Sequence, residues 1–208
     1  MTGRTYPPRW AEAILRRMLA PRDRETVSGD LLEEYREHVL PERGCRTADR
    51  WYIVQVGGFV WCSAGMWAVL FSASFVARNA FDWFVPPRSF YARSLITTWV
   101  AIGLFGGATF SNAWRARSIR AALVTAAAMT IVSAVLSTIG DGLILAIWHD
   151  PSILRAIDQS GGMDEVWLLP IFAIIPATIV GLQAGIAARV LAAIVDYARA
   201  RSAASSAS

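Results

Sequence analysis

The densest chemistry in this sequence is a run of four carboxylates. Asp30, Glu33, Glu34 and Glu37 fall within the eleven residues "SGDLLEEYREH", 28 to 38. Such a set can hold a cation, act as an acid–base pair, or present a negative face to a basic partner. A metal needs a complementary ligand set. His38 and Cys45 lie close by, but no second Cys/His pair accompanies them, and structural zinc takes four ligands. We expect an exposed histidine, a free thiol and a solvated acidic face open to a partner. The other carboxylate of interest is Asp141, inside the apolar run "IGDGLILAIW". An intramembrane carboxylate is costly unless solvated or paired, and a proton or ion relay would use one. Counting about 20 residues from Ala121 puts Asp141 near one membrane interface. An interfacial or helix-packing role is therefore expected. Asn112 and Gln183 are expected to make interhelical hydrogen bonds. GxSxG, HExxH, GxxxxGK[ST] and helix-opening GxGxxG motifs are all missing. His38 and His149 fall on opposite sides of the expected membrane. No catalytic, cofactor or metal site is expected.

Two helices must position the acidic face. "PPRWAEAILRRML" reads as the first, with Pro8 at its start and an apolar stripe of Trp10, Ile14, Leu15 and Met18. "RDRETVSGDLLEEYREHV" reads as the second, with Val27, Leu31 and Tyr35 on one stripe flanked by Leu32 and Val39. Asp23 and Glu25 suit its first turn, and Pro41 and Gly44 close it. Gly29 inside that helix costs about 1 kcal/mol relative to Ala, which is tolerable where another helix approaches closely. Gly29 is therefore a candidate packing point.

From Trp51 the texture changes. The 208 residues have a mean hydropathy of +0.40, more than one soluble core requires. Four apolar stretches, at about 51–77, 95–113, 121–148 and 166–188, each approach or exceed the roughly 20 residues a bilayer needs. The expected fold class is all-α: an integral membrane four-helix bundle behind an N-terminal cytoplasmic helical hairpin. Its domains are 1–50 (helical prefix), 51–196 (four spans) and 197–208 (a small, polar, disordered tail). Pro170 and Pro176 are expected to kink the fourth span. Two small-residue patterns, Gly103/Gly107 and Gly181/Gly185, are candidate helix-packing faces. Between spans, Ile153, Leu154 and Ile157 are expected to face lipid.

All 20 basic residues are Arg, and the net charge is +4. Arg36, Arg43, Arg46 and Arg50 precede the first span, Arg115, Arg117 and Arg120 lie between the second and third, and Arg199 and Arg201 follow the fourth. The positive-inside rule places these, and both termini, in the cytoplasm. Arg78, Arg88, Arg93 and Arg155 share the other side with Asp82, Asp150, Asp158, Asp164 and Glu165. Because the basic residues adjoin apolar runs, the charge balance indicates a lipid bilayer as partner rather than nucleic acid. Cys45 and Cys62 belong to different phases, so no disulfide is expected between them. The ten Arg and nine acids of the first 50 residues leave no room for a signal-peptide apolar core, so the first span is expected to act as an uncleaved anchor.

Three blocks occur in order: Pro7, Pro8 and Trp10; Gly29, Asp30, Leu31, Glu33 and Glu34; Trp51, Tyr52 and Gln55. Together they resemble the permease prefix domain, found ahead of the first span in FtsX-like duplicated orphan permeases of the ABC-exporter type. The resemblance covers about the first 50 residues. The chain departs from that family in having four spans and short loops where such permeases carry a large extracytoplasmic domain. The resemblance implies a bacterial inner-membrane accessory protein, acting through its prefix on an ABC permease or its ATPase, or assembling with them; a second copy of the chain is the other candidate partner. The alternatives are a small-solute transporter working as an oligomer, with Asp141 as its coupling carboxylate, and a membrane-bound regulator that captures a cytoplasmic factor.

Overall fold

The computed structural model describes residues 5–85, 90–148, 151–160, 168 and 174–206. Seven helices are found there: α1 (Arg9–Met18), α2 (Arg24–Glu34), α3 (Leu40–Phe84), α4 (Phe90–Ala116), α5 (Ile119–Ile147), α6 (Pro151–Ser160) and α7 (Ile174–Ser206). No strand occurs among the described residues. The ranges Arg24–Phe84, Ile119–Ile147 and Ile175–Ser205 are long and apolar enough to cross a membrane.

Of the two residues expected to close α2, Pro41 does not stop it. The helix passes through one π-helical turn, Tyr35–Val39, into α3. The real break is Gly44, whose φ of 74° lies in the left-handed region. Glycine populates that region without the Cβ clash that penalises other residues. Beyond it the helix is continuous to Phe84, about 60 Å at 1.5 Å per residue. This differs from the expected boundary at residue 50 in two ways. The near end of α3 forms the third helix of the N-terminal unit, and the far end extends past residue 77. Arg78 and Asp82, read as loop charges, are therefore helical.

The N-terminal unit has a core of large side chains. Ala11 and Leu15 of α1 pack with Tyr35, Val39, Ala48, Tyr52 and Val56, flanked by Leu31, Trp51 and Phe59. The first-helix stripe is rotated from its expected position. Ala11, Leu15 and Met18 are buried, while Trp10 is 56% exposed. The inner face, shared with Tyr35, Tyr52 and Val56, takes the small Ala11.

Beyond this unit α3, α4, α5 and α7 form an up-and-down bundle. Ser72 meets Ser133 and Asn79 meets Asp141, so α3 and α5 run parallel. Asn112 meets Ser63 and Phe105 meets Phe71, so α4 runs opposite to α3. Gly181 and Gly185 lie over Ala126 and Ala122, so α7 runs opposite to α5. The N-terminal unit, the α4–α5 turn and the C-terminal end of α7 thus share one end. A short turn closes there: Ser118 N–H bonds Ala113 O at 3.2 Å, with Arg117 at φ 51°. Left-handed backbone at a helix C-terminus usually falls to Gly. Here the Arg117 guanidinium, 5.0 Å from the Trp114 ring and 3.4 Å from Asp196, ties the turn to α7.

The bundle interior is built from small residues. Ala64, Ala68, Ala108, Ala113, Ala122, Ala126 and Ala188 are buried, with Phe71, Phe75 and Phe105 as fillers. The large aliphatic and indole side chains face outward: Trp61, Met66, Ile131, Ile139, Leu143, Ile179 and Ile186 are exposed, and Trp99 reaches 65%. Soluble monomers rarely carry so continuous an apolar surface.

Three further differences concern the chain's second half. Helix α7 does not end near residue 188 or at 196 but runs to Ser206, because the Ala- and Arg-rich segment has high helix propensity. The stretch to Ser206 is helical rather than a disordered tail. Pro176 sits in the first turn of α7, where a missing N–H breaks no helical bond; Pro170 lies outside the described residues. Ile153 and Ile157 are buried against Trp83 rather than lipid-facing, since α6 folds back on α3; Leu154 alone of the three is exposed.

Candidate functional site

Two constellations stand out. The first is the N-terminal unit, organised around Glu12. This carboxylate accepts a hydrogen bond from Ser28 Oγ of α2 at 2.5 Å and another from the Tyr52 hydroxyl of α3. One side chain thus ties three helices together. The Tyr35 hydroxyl donates to Asp49 at 2.8 Å, and the Tyr35 and Tyr52 rings meet edge to face, centroids 5.8 Å apart. The π turn carries Tyr35 and Val39 into this core.

Consequently the acidic residues point out. Asp30, Glu33, Glu34 and Glu37 are all exposed. Glu34 pairs with His38 at 3.3 Å. The other three have no ion-pair partner among the described residues. The acidic face is not neutralised by the basic turn at 115–120: Arg117 of that turn pairs with Asp196 of α7 instead. Gly29 is exposed, and a Cβ placed there would meet nothing within 4 Å. No described helix approaches it within that distance, so it is not a packing point. Cys45 and Cys62 are free and exposed, 17 positions apart on α3, or about 25 Å. Among the described residues no group of His, Cys, Asp or Glu is arranged to hold a metal.

The second constellation is a buried polar seam between α3 and α5. Ser72, Asn79 and Asp82 line α3; Thr130, Ser133, Ser137 and Asp141 line α5, three or four residues apart. Asn79 Nδ2 donates to Asp141 Oδ2 at 2.8 Å, and Asn79 Oδ1 accepts from Arg78 Nη1 at 3.2 Å. Arg78 Nε lies 2.8 Å from Asp82 Oδ2. Asp82, Arg78, Asn79 and Asp141 therefore form one chain of contacts. Asp141 is fully buried, an interhelical contact rather than a solvent-facing group. Sequence reasoning missed Asn79 and assigned Arg78 and Asp82 to a loop. The available signal was the i,i+4 spacing of Arg78 and Asp82, with Ser72, Asn79 and Asp82 on one helical face.

The glycine pairs divide. Gly181 and Gly185 press on α5: Cβ atoms there would lie 2.7 Å from Ala126 Cβ and 2.8 Å from Ala122 Cβ. A Cβ at Gly107 would lie 3.5 Å from the Trp67 ring, but Gly103 is exposed and a Cβ there would meet nothing within 4 Å. Its pairing with Gly107 as one packing face does not occur in this chain, because α4 turns that residue outward. Gly140, outside both glycine pairs, lies against α3: a Cβ there would come within 2.7 Å of Val76 Cγ2. Asn112 Nδ2 bridges to Ser63 O at 3.2 Å; Gln183 is exposed and bonds no other helix among the described residues.

No family model matches this chain, and neither a curated protein nor a solved structure does.

Proposed function

We propose that this chain is an accessory interaction protein of the bacterial inner membrane, related to ABC-type permease systems through its N-terminal prefix. Helices α3, α4, α5 and α7 cross the bilayer, and both termini are cytoplasmic. The outward-facing apolar side chains support the membrane part of this reading. The gathering of Arg115, Arg117, Arg120, Arg199 and Arg201 at the prefix end supports the orientation. One observation carries the interaction role: Asp30, Glu33 and Glu37 form an exposed acidic face on a folded unit, with no basic side chain of the described residues paired to it. An Arg-bearing permease or ATPase surface is the complementary partner. Charge complementarity of this kind sets partner choice and association rate.

The test is charge reversal. The Glu33→Arg, Glu34→Arg double variant should reach wild-type membrane abundance and lose co-purification of an ABC permease or ATPase in mild detergent. Retained co-purification by the variant, or none with the wild type, overturns the proposal. The buried Asp141 gives a second reading one supporting observation, that of a small-solute transporter acting as an oligomer. Asp141→Asn should then abolish flux in proteoliposomes; unchanged flux, or none in the wild type, ends that reading.

A further inference from the structure

The outward face of α1 is left unexplained by a partner for α2. Its inner face buries Ala11, Leu15 and Met18 and turns Glu12 toward Ser28 and Tyr52. The outer face then carries Arg9, Trp10, Arg16 and Arg17, all exposed, with Ala13 half-buried between them; Ile14 packs against the inner cluster. Trp10, Ala13 and Arg17 follow one another at i, i+3 and i+7, a single stripe along the helix. Arg16 is engaged by Glu25 at 2.6 Å. Arg9 and Arg17 have no acidic partner among the described residues. This face is therefore an exposed indole flanked by two uncompensated guanidinium groups.

Its height along the molecule is defined by contacts. Met18 Sδ lies 4.0 Å from Thr125 Oγ1, six positions into α5. Leu15 and Ala11 pack in the cluster containing Tyr52 and Val56. The outward apolar surface of α3 begins at the same level, with Ile53 and Val54. On α7 the same end carries exposed Tyr197 followed by Arg199 and Arg201. Helix α1 is held where the apolar belt ends and the basic belt starts.

We infer that α1 is a membrane-surface element, its Trp10 seated among the headgroups of the cytoplasmic leaflet and Arg9 and Arg17 on the phosphates of anionic phospholipids. Trp is favoured at headgroup depth because its ring is apolar while its N–H remains hydrogen-bonded. Arg beside an anionic leaflet adds electrostatic attraction. An outward indole and uncompensated guanidinium groups favour the interface for these two reasons together. In this arrangement the leaflet fixes one side of the N-terminal unit, and the acidic residues of α2, repelled by the same surface charge, face the cytoplasm. The inference rests on the membrane-spanning reading of the bundle.

The experiment uses the full chain in phosphatidylglycerol-containing vesicles. A spin label is placed at Ala13→Cys, and separately at Glu33→Cys, in a Cys45→Ser, Cys62→Ser background. The label at position 13 should collide with oxygen and be shielded from a water-soluble nickel complex; the label at 33 should show the reverse. Brominated lipid should quench wild-type tryptophan emission more than that of Trp10→Phe, which serves as an independent measure without any label. Arg9→Gln and Arg17→Gln should each lower the preference for phosphatidylglycerol over phosphatidylcholine about fivefold. If position 13 is as accessible to nickel as position 33, and Trp10→Phe leaves quenching unchanged, α1 faces water and the inference is overturned while the spans stand. If the chain fails to float with the vesicles, the membrane reading falls and the inference with it.

Discussion

The N-terminal unit and the bundle bury opposite kinds of residue. In the unit, Leu15, Tyr35, Val39, Tyr52 and Val56 go inside and the carboxylates of α2 go outside. In the bundle, alanines, glycines and hydroxyl side chains go inside, and Ile131, Ile139, Leu143 and Ile179 go outside. On the membrane-spanning reading proposed above, one chain thus follows two rules, because its two parts face different surroundings. Water drives large apolar side chains inward. Hydrocarbon gives no such drive, so close backbone approach and interhelical hydrogen bonds select the interior instead. Helix α3 obeys both along its length: Tyr52 and Val56 belong to the first core, Ala64, Phe71 and Phe75 to the second.

The contrast can be broken at graded cost. Leu15→Ala removes a fully buried side chain from the N-terminal core and should destabilise that unit by about 3 kcal/mol. Limited proteolysis should then cut the first 50 residues while detergent-purified α4, α5 and α7 stay protected. Gly181→Ile forces a branched side chain toward Ala126 and Thr109, which a Cβ would already approach to 2.7 and 3.4 Å. A loss of about 2 kcal/mol should appear as a lower thermal midpoint for the bundle, leaving the N-terminal unit's protection unchanged. Asn79→Ala deletes the 2.8 Å bond to Asp141 and should cost about 1 kcal/mol, the modest scale of hydrogen bonds between membrane helices. Denaturant titration in detergent measures it. The smallest effect is expected at Ile139→Ala, an outward position in the bundle: within about 0.5 kcal/mol. A loss as large as that of Leu15→Ala would mean that this surface is a protein interface, and the contrast between the two regions would then need revision.

Much of the architecture was legible because it rests on local pattern. Apolar length marked the long helices, Arg placement marked the shared end, and Gly44 marked the break between α2 and the rest of α3. The small-residue motif at Gly181 and Gly185 pointed to residues that do pack closely. The same kind of motif at Gly103 did not, since spacing places residues on one helical face without saying which neighbour that face meets. Gly29 shows this again: a glycine's cost is visible in sequence, the emptiness beside it is not. The acidic face was visible as a run of carboxylates. The Glu12 hub was not, because Ser28 and Tyr52 lie 16 and 40 positions away.

By itself the sequence determined the two chemical textures, the helical periodicity and the charge asymmetry, since each depends on neighbours within a few turns. Only the tertiary structure decided that α3, from Cys45 to Phe84, serves both regions without interruption. It alone joined Arg78, Asn79 and Asp82 to Asp141 across the α3–α5 seam, and turned Trp10 outward. Those outcomes depend on which helices compete for a given face. That competition is settled by shape and burial between residues far apart in the chain, which no local window contains.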